Sequence, residues 1–324
     1  MTKIDNDLIY LRSENARISL KELSRILLKT PQRLKYSISV LEKEGILRDP
    51  YCIFDYSYFG LILFRVYFKG AYISEKDKEH IIAELNKNPY VVSIYELTGE
   101  FDLTVEFACP NPSKFNKELK LLATSIPSLK DYKIVLNLVT HIYPRHYLVK
   151  TANPLSLDPE KIVGGDREKE SFNQNEMLVM KNLLLDPTMR YTDLANKTGL
   201  NIKTVKSVLK VLAKRNIIKG YKYIVDANRL DIQRNRLFLK LHNVSIEREN
   251  QIMAYMLKTK EIVQSHKTVG DWDLEIDIES PSKSRVRYII REMKEEYPDL
   301  IERFNLIEFY NYYKRSYLPM YLFS

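Results

Sequence analysis

The chain has 324 residues with a formal charge of +9, and 45% of it is hydrophobic. That is long for one domain and ample for two or more. No apolar run approaches the ~18 residues of a membrane helix, and the stretch Met1–Asp7 has no signal core. Two cysteines, Cys52 and Cys109, make neither a disulfide framework nor a structural zinc site. A cytoplasmic setting with no membrane partner and no metal is expected. The nine glycines include no G-x-x-x-x-G-K and no G-x-G-x-x-G, so the phosphate-cradling loops of nucleotide chemistry are missing and no cofactor is expected.

In chain order, the first residues are helical. Leu8 and Leu11, then Leu20, Leu23, Ile26 and Leu27, then Leu34, Ile38 and Leu41 give three short apolar stripes at 3- and 4-residue spacing. Ser19-Leu20-Lys21-Glu22 predicts a capping box on the second helix, and Thr30-Pro31 opens the third. Short helices with shorter connections read as a helix-turn-helix. Strands follow at 61–69, 91–97, 102–109 and 133–143, with helices at 75–88 and 112–125. The order βαββαβ is a ferredoxin-like unit with both helices on one sheet face.

The pattern then repeats. Val91–Leu103 resembles Ile262–Leu274, and the shift from Gly99 to Gly270 also pairs Leu23 with Leu194, Leu34 with Val205, Leu41 with Leu212 and Ile46 with Ile217. One register over about a hundred residues means a tandem duplication. The fold class is α+β, two copies of a winged helix-turn-helix plus a ferredoxin-like domain. The domains are 1–56, 57–149, 172–230 and 231–324. Residues 150–171, with Pro154, Pro159, Gly164-Gly165 and a charge run at 166–170, suit a solvated linker. Each sheet leaves a bare face, which is expected to pair with its twin within the chain or across a dimer.

Glu14-Asn15-Ala16-Arg17-Ile18-Ser19, Glu22-Leu23, Leu41–Ile46 and, in the second copy, Ile217–Tyr221 resemble the N-terminal half of Lrp/AsnC transcription regulators. Thr98–Asp102 and Val269–Asp273 resemble the strand–turn–strand motif of that family's C-terminal (RAM) domain. The resemblance covers nearly the whole chain, twice. It implies a double-stranded-DNA-binding regulator whose C-terminal domains dimerise and sense a small, amino-acid-like effector, with an intrachain pseudo-dimer and a homo-oligomer expected. It also implies that the chain is not an enzyme. The chain departs from the family at Ser37 and Val208, where Arg is usual, at Arg190 in place of Ser19, and at Asn216 in place of Gly45.

A helical wheel turns Leu34, Ile38 and Leu41 inward and leaves Gln32, Tyr36, Ser39 and Lys43 outward, flanked by Arg33 and Lys35. In the second copy Val205, Leu209 and Leu212 are expected inward. Lys203, Ser207, Lys210 and Lys214 share the outer face, with Thr204 and Lys206 beside them. From Lys197 to Lys222 there are eight basic residues and no acidic one. Clustered like charges repel unless a polyanion neutralises them, and DNA does so with counterion release. A lysine face is also what any solvated helix shows; its place on a third helix favours DNA, with more non-specific affinity expected from the second copy.

Thr98, Gly99, Asp102, Val269, Gly270 and Asp273 are candidate effector contacts by the resemblance, although a tight strand turn alone needs such glycines. Tyr310, Tyr312, Tyr313, Tyr317 and Tyr321 read as a last strand plus a tail docked on a neighbouring domain. No catalytic triad is readable. Two alternatives stay open. Sirohaem and haem d1-pathway decarboxylases resemble this architecture, and His141, Arg145, His146 and His266 would then serve an anionic tetrapyrrole. A scaffold with silent helix-turn-helix units is the other.

Overall fold

A computed structural model describes residues 5–149 and 159–323; the expected linker's 150–158, with Pro154, lies outside them. The first copy runs α1 (Asn6–Glu14), α2 (Leu20–Leu27), α3 (Pro31–Lys43), β1 (Leu47–Phe54), β2 (Ile62–Lys69), α4 (Glu75–Lys87), β3 (Val91–Thr98), β4 (Leu103–Cys109), α5 (Pro112–Ser125) and β5 (Asp131–Ile142). A short β6 (Lys161–Gly164) leads to the second copy. That copy runs α6 (Gln174–Leu185), α7 (Tyr191–Thr198), α8 (Ile202–Lys214), β7 (Ile218–Val225), β8 (Gln233–Leu241), α9 (Ile246–Lys258), β9 (Ile262–Val269), β10 (Leu274–Ser280), α10 (Lys283–Glu296) and β11 (Ile301–Arg315).

The duplication is visible in the backbone. Left-handed residues recur in one register: Leu28 and Gly199, Gly45 and Asn216, Gly60 and Asp231, Gly99 and Gly270. The same turns are kept even where glycine is lost. Caps are kept by a change of chemistry. Thr30 Oγ1 accepts from Arg33 N at 3.4 Å, and Asn201 Oδ1 accepts from Thr204 N at 2.8 Å. At Ser19 only half of the expected box forms, its hydroxyl accepting from Glu22 N at 3.1 Å. Arg190, in its place, makes no side-chain cap. A complete box forms instead at Asn173 and Glu176, on α6.

The two antiparallel sheets, β5-β2-β4-β3 and β11-β8-β10-β9, join edge to edge. β3 pairs with β11 and β5 with β9, so eight strands close into a barrel. Pairing of the copies was expected; the finding is that edges meet, which turns both bare faces inward and leaves no edge open at either seam. Outside, α4 and α5 cover Phe64, Val66 and Phe107. On the other half, α9 and α10 cover Leu237, Ile276 and Ile278.

The helix-turn-helix units are tied by a separate ribbon. β1 and β7 pair antiparallel, from Leu47 against Val225 to Phe54 against Ile218. Each strand leaves its own third helix and packs under the other copy's helices. Leu8, Leu23, Leu34 and Leu41 share a core with Tyr223 and Val225. Val179, Leu194, Val205 and Leu212 share one with Ile53 and Phe54.

Two segments strap the helix-turn-helix units to the barrel. Beyond β5, Tyr143 N donates to Val263 O at 2.9 Å, and Leu148 enters the core under α1–α3. Beyond β11, the Tyr321 ring lies 4.3 Å from that of Tyr90, and Lys181 Nζ donates to Phe323 O at 2.9 Å. The tyrosine-rich tail therefore docks on neighbouring domains, as its composition suggested.

One sequence expectation about the seam is corrected. Residues 161–164 are not solvated linker: they pair with 139–142 of β5, and Val163 is fully buried. Gly164 N donates to Asp55 Oδ1 at 2.9 Å. A Cβ on Gly164 would come within 2.7 Å of Leu138 O, so only glycine lets the strand approach there.

Candidate nucleic-acid interface

The third helices present the surfaces that their periodicity requires. On α3, Leu34, Ile38 and Leu41 are buried, while Gln32, Arg33, Lys35, Tyr36, Ser39 and Lys43 are exposed, Tyr36 at 70%. On α8, Lys203, Lys206, Ser207, Lys210 and Lys214 are exposed and Thr204 is half-buried. One inward assignment changes: Val208 is buried with Val205 and Leu212, and Leu209 is only half-buried. The buried stripe keeps Val205 and Leu212 and exchanges one member, as α8 packs on both α6 and α7.

The charge count of the second helix-turn-helix unit also changes. Arg215 binds Glu170 and Glu176, with Nε to Glu170 Oε2 at 2.7 Å and Nη1 to Glu176 Oε1 at 2.7 Å. Lys222 Nζ lies 2.7 Å from Glu14 Oε2, and Lys219 Nζ 3.8 Å from Asp55 Oδ2. These carboxylates come from outside the 197–222 window, so local sequence could not show them. Lys197, Lys203, Lys206, Lys210 and Lys214 remain exposed, with no ion pair among the described residues. On α3, Arg33, Lys35 and Lys43 are likewise exposed and without one. Neighbouring unpaired cations on one helix face repel unless an anionic surface meets them.

The strand turns lie at the seams between copies. Thr98 pairs with Glu308 and Val269 with Leu136. Gly99 and Gly270 are exposed with positive φ, which the tight turn requires. Asp102 Oδ2 accepts from Ala71 N at 3.2 Å, and Asp273 Oδ2 accepts from Leu241 N at 2.8 Å. Asp273 also pairs with Lys240 at 2.9 Å. In both copies this carboxylate caps the neighbouring strand.

Sequence reading missed the barrel interior. Arg65 on β2 and Arg236 on β8 are 171 residues apart, as are Glu106 on β4 and Asp277 on β10. The two pairs repeat one bridge. Arg65 Nε donates to Glu106 Oε1 at 2.8 Å, and Arg236 Nε donates to Asp277 Oδ1 at 2.6 Å. Arg65 also binds Glu275 from the other copy, and Arg236 Nη1 donates to Tyr67 Oη at 2.8 Å. The available signal was an arginine at matching places in the two copies, inside the apolar run of β2 (ILFRVYFK) and at the head of the apolar half of β8 (QRNRLFLKL). Burial alone would raise the Glu106 carboxyl, but Arg65, His266 and Arg236 hold it down to about 2. His266 lies between Arg65 and Arg236; burial and then Arg65 lower it to about 4, so it is neutral near pH 7.

The four residues named for a tetrapyrrole do not converge. His141 Nδ1 meets Glu160 Oε1 at 2.7 Å, and His146 Nδ1 meets Tyr10 Oη at 3.2 Å. Arg145 is bound to Glu14 and Glu279, and His266 belongs to the interior network. A cavity beside that network measures about 20 Å³, room for one or two waters.

No family model matches the chain. An uncharacterized HTH-type transcriptional regulator of Pyrococcus horikoshii, PH0061, is 32% identical over 114 residues, 35% of this chain and 76% of the relative. The chain belongs to the Lrp/AsnC-type helix-turn-helix regulators. The HTH-type transcriptional regulator FL11 of the same organism is 27% identical over 146 residues, 44% of this Lrp/AsnC-type chain and 91% of the relative. Each relative thus has about the length of one copy. Among solved structures, the sirohaem decarboxylase NirDL, in complex with an iron-uroporphyrin III analogue, matches 97% of this chain and 94% of its own, with TM-score 0.57 and 16% identity. At that identity the likeness concerns the fold. It overturns the expectation that the chain is not an enzyme, because the architecture matching both copies together is carried by one. No described helix is long and apolar enough to cross a membrane.

Proposed function

We propose that the chain regulates transcription by binding double-stranded DNA through α3 and α8, with 1–56 and 172–230 as readers and 57–149 and 231–324 as the barrel that sets their spacing. One observation carries this: both third helices keep their outer faces clear of protein, and the lysines of α8 there are unpaired. Gln32, Arg33 and Ser39 supply side chains that reach base edges, while the lysines of α8 suit phosphates. The two faces differ, so the preferred site is asymmetric. Selection of bound fragments from random DNA at two salt concentrations tests the proposal. An asymmetric consensus supports it. A perfect palindrome, or recovery that vanishes uniformly with salt, counts against it.

The turns at Thr98–Asp102 and Val269–Asp273 would place an amino-acid-like effector between copies. A thermal shift screen of the twenty amino acids addresses this, and no response to any of them removes the effector role.

The full-length likeness to NirDL favours a second reading, an enzyme on the same architecture. Addition of sirohaem, followed by its Soret band and by release of carbon dioxide, separates the two. A shifted band with turnover would establish the enzyme, and an unchanged spectrum would leave the DNA reading alone.

A further inference from the structure

The barrel end next to the readers has two pseudo-equivalent quarters, and they are filled differently. In one, Glu279 on β10 accepts from Arg145 Nε at 2.9 Å and from Tyr147 Oη at 2.7 Å, with Arg234 Nε 3.6 Å away. The quarter is closed by its own carboxylate. In the other, the residues 171 positions earlier are Ala108 for Glu279 and Leu63 for Arg234. Ala108 and Leu63 face each other across β4 and β2. A cavity of about 20 Å³ remains there, lined by Leu63, Ser93, Thr140 and Arg315 and by Arg65 and Glu106, whose charges are already paired with each other.

Arg315 is the counterpart of Arg145, since Arg145-His146-Tyr147-Leu148 matches Arg315-Ser316-Tyr317-Leu318 after the last strand of each copy, but it lacks the carboxylate that Glu279 gives Arg145. Arg315 Nη2 donates to the neutral Gln264 Oε1 at 2.9 Å, and its guanidinium lies over the Tyr51 ring at 4.8 Å and the Tyr312 ring at 5.5 Å. No carboxylate lies within ion-pair distance of it among the described residues. Half-buried among aromatic rings and a neutral amide, the guanidinium has lost part of its hydration without gaining an anion. Its planar fork matches a carboxylate in two-point contact.

We propose that this cavity binds a small carboxylate of formate or bicarbonate size, held by Arg315, with the hydroxyls of Ser93 and Thr140 beside it. Glu279 is the built-in equivalent in the opposite quarter, so the chain takes one such anion and not two. The small volume favours a one-carbon carboxylate over larger ones. The site lies beneath the β1–β7 ribbon, since Tyr51 of β1 stacks on Arg315, and its occupancy acts on the joint between the readers.

Formate, acetate and chloride, each titrated against the full chain at constant ionic strength by calorimetry and thermal shift, test the proposal. Formate is expected to bind saturably with a stoichiometry of one and to raise Tm, with acetate weaker. Arg315→Gln is expected to weaken formate at least tenfold. Ala108→Glu, which supplies an internal carboxylate, is expected to abolish formate binding while the fold persists by circular dichroism. Arg315→Lys keeps the charge without the fork, and a loss between those of wild type and Arg315→Gln is expected; it decides the matter if the other variants do not fold. No saturable formate binding, an affinity unchanged by these substitutions, or equal binding of chloride overturns the proposal.

Discussion

Arg145 Nη1 donates to Glu14 Oε1 over 3.1 Å, so a residue just past β5 of the barrel holds α1, the first helix of the first helix-turn-helix unit. The same guanidinium binds Glu279 on β10, and Glu14 also binds Lys222 on β7. One buried ionic chain therefore joins a reader, the ribbon and both halves of the barrel. Arg145→Met leaves two carboxylates buried short of a partner. Loss of one member of a buried pair costs roughly 3–5 kcal/mol, and urea denaturation should show it as a lower midpoint at constant slope. A loss below about 1 kcal/mol would mean that water reaches Glu14 and Glu279.

The interior network makes the fold sensitive to acid. His266 is held at about 4 by burial and Arg65, below its ordinary 6.5. The unfolded chain therefore binds this proton first as pH falls. Its contribution is complete above about 6.5 and is lost progressively down to about 4. Glu106, held at about 2 against 4.5, adds a second loss at lower pH. Melting followed from pH 7.5 to 4 should fall in wild type and fall less steeply in His266→Gln. Parallel slopes would show that His266 takes up its proton as readily in the folded barrel as in the unfolded chain.

Lys222 acts in the same direction at higher pH. Burial lowers its ammonium to about 8 despite Glu14. Between about 8 and 10.5 the unfolded chain keeps this proton and the folded one releases it, so this group alone makes stability rise with pH there. Lys222→Met removes that rise, and denaturation midpoints at pH 7.5 and 9.5 compare the two proteins directly.

For DNA, the triple change Lys203→Gln, Lys206→Gln and Lys210→Gln removes three exposed charges from α8 without touching its buried stripe. Each lost phosphate contact lowers the salt slope by about 0.9, so a fall of roughly two to three is expected. The consensus on the α3 side should survive. Arg33→Ala should instead relax the preferred base at one position by ~1–3 kcal/mol with a smaller change in slope. Fluorescence anisotropy at several salt concentrations separates these outcomes.

Leu28 has φ 53° at the turn between α2 and α3, is 90% exposed, and corresponds to Gly199 in the second copy. A side chain in this conformation costs about 1–2 kcal/mol, partly offset by the extra freedom glycine brings to the unfolded chain. Leu28→Gly should raise Tm slightly. A lowered Tm would mean that Leu28 packs on something in solution.

Local pattern alone determined the helices and the βαββαβ strands of each copy, the duplication and the buried stripe of α3, but not the ribbon strands β1 and β7 or the short β6. Apolar periodicity, capping residues and a constant spacing are properties of neighbouring residues, and Leu34, Ile38 and Leu41 needed no other information. The tertiary structure decided what depends on partners far along the chain. Arg65 and Glu275 meet across 210 residues because the sheet edges join, a geometry no local window contains. The same holds for the three cations of the second reader quenched by Glu170, Glu176, Glu14 and Asp55, and for the exchange of Leu209 for Val208. Charge and burial at a site are sums over everything that packs there, and closing the barrel is what brings those contributions together.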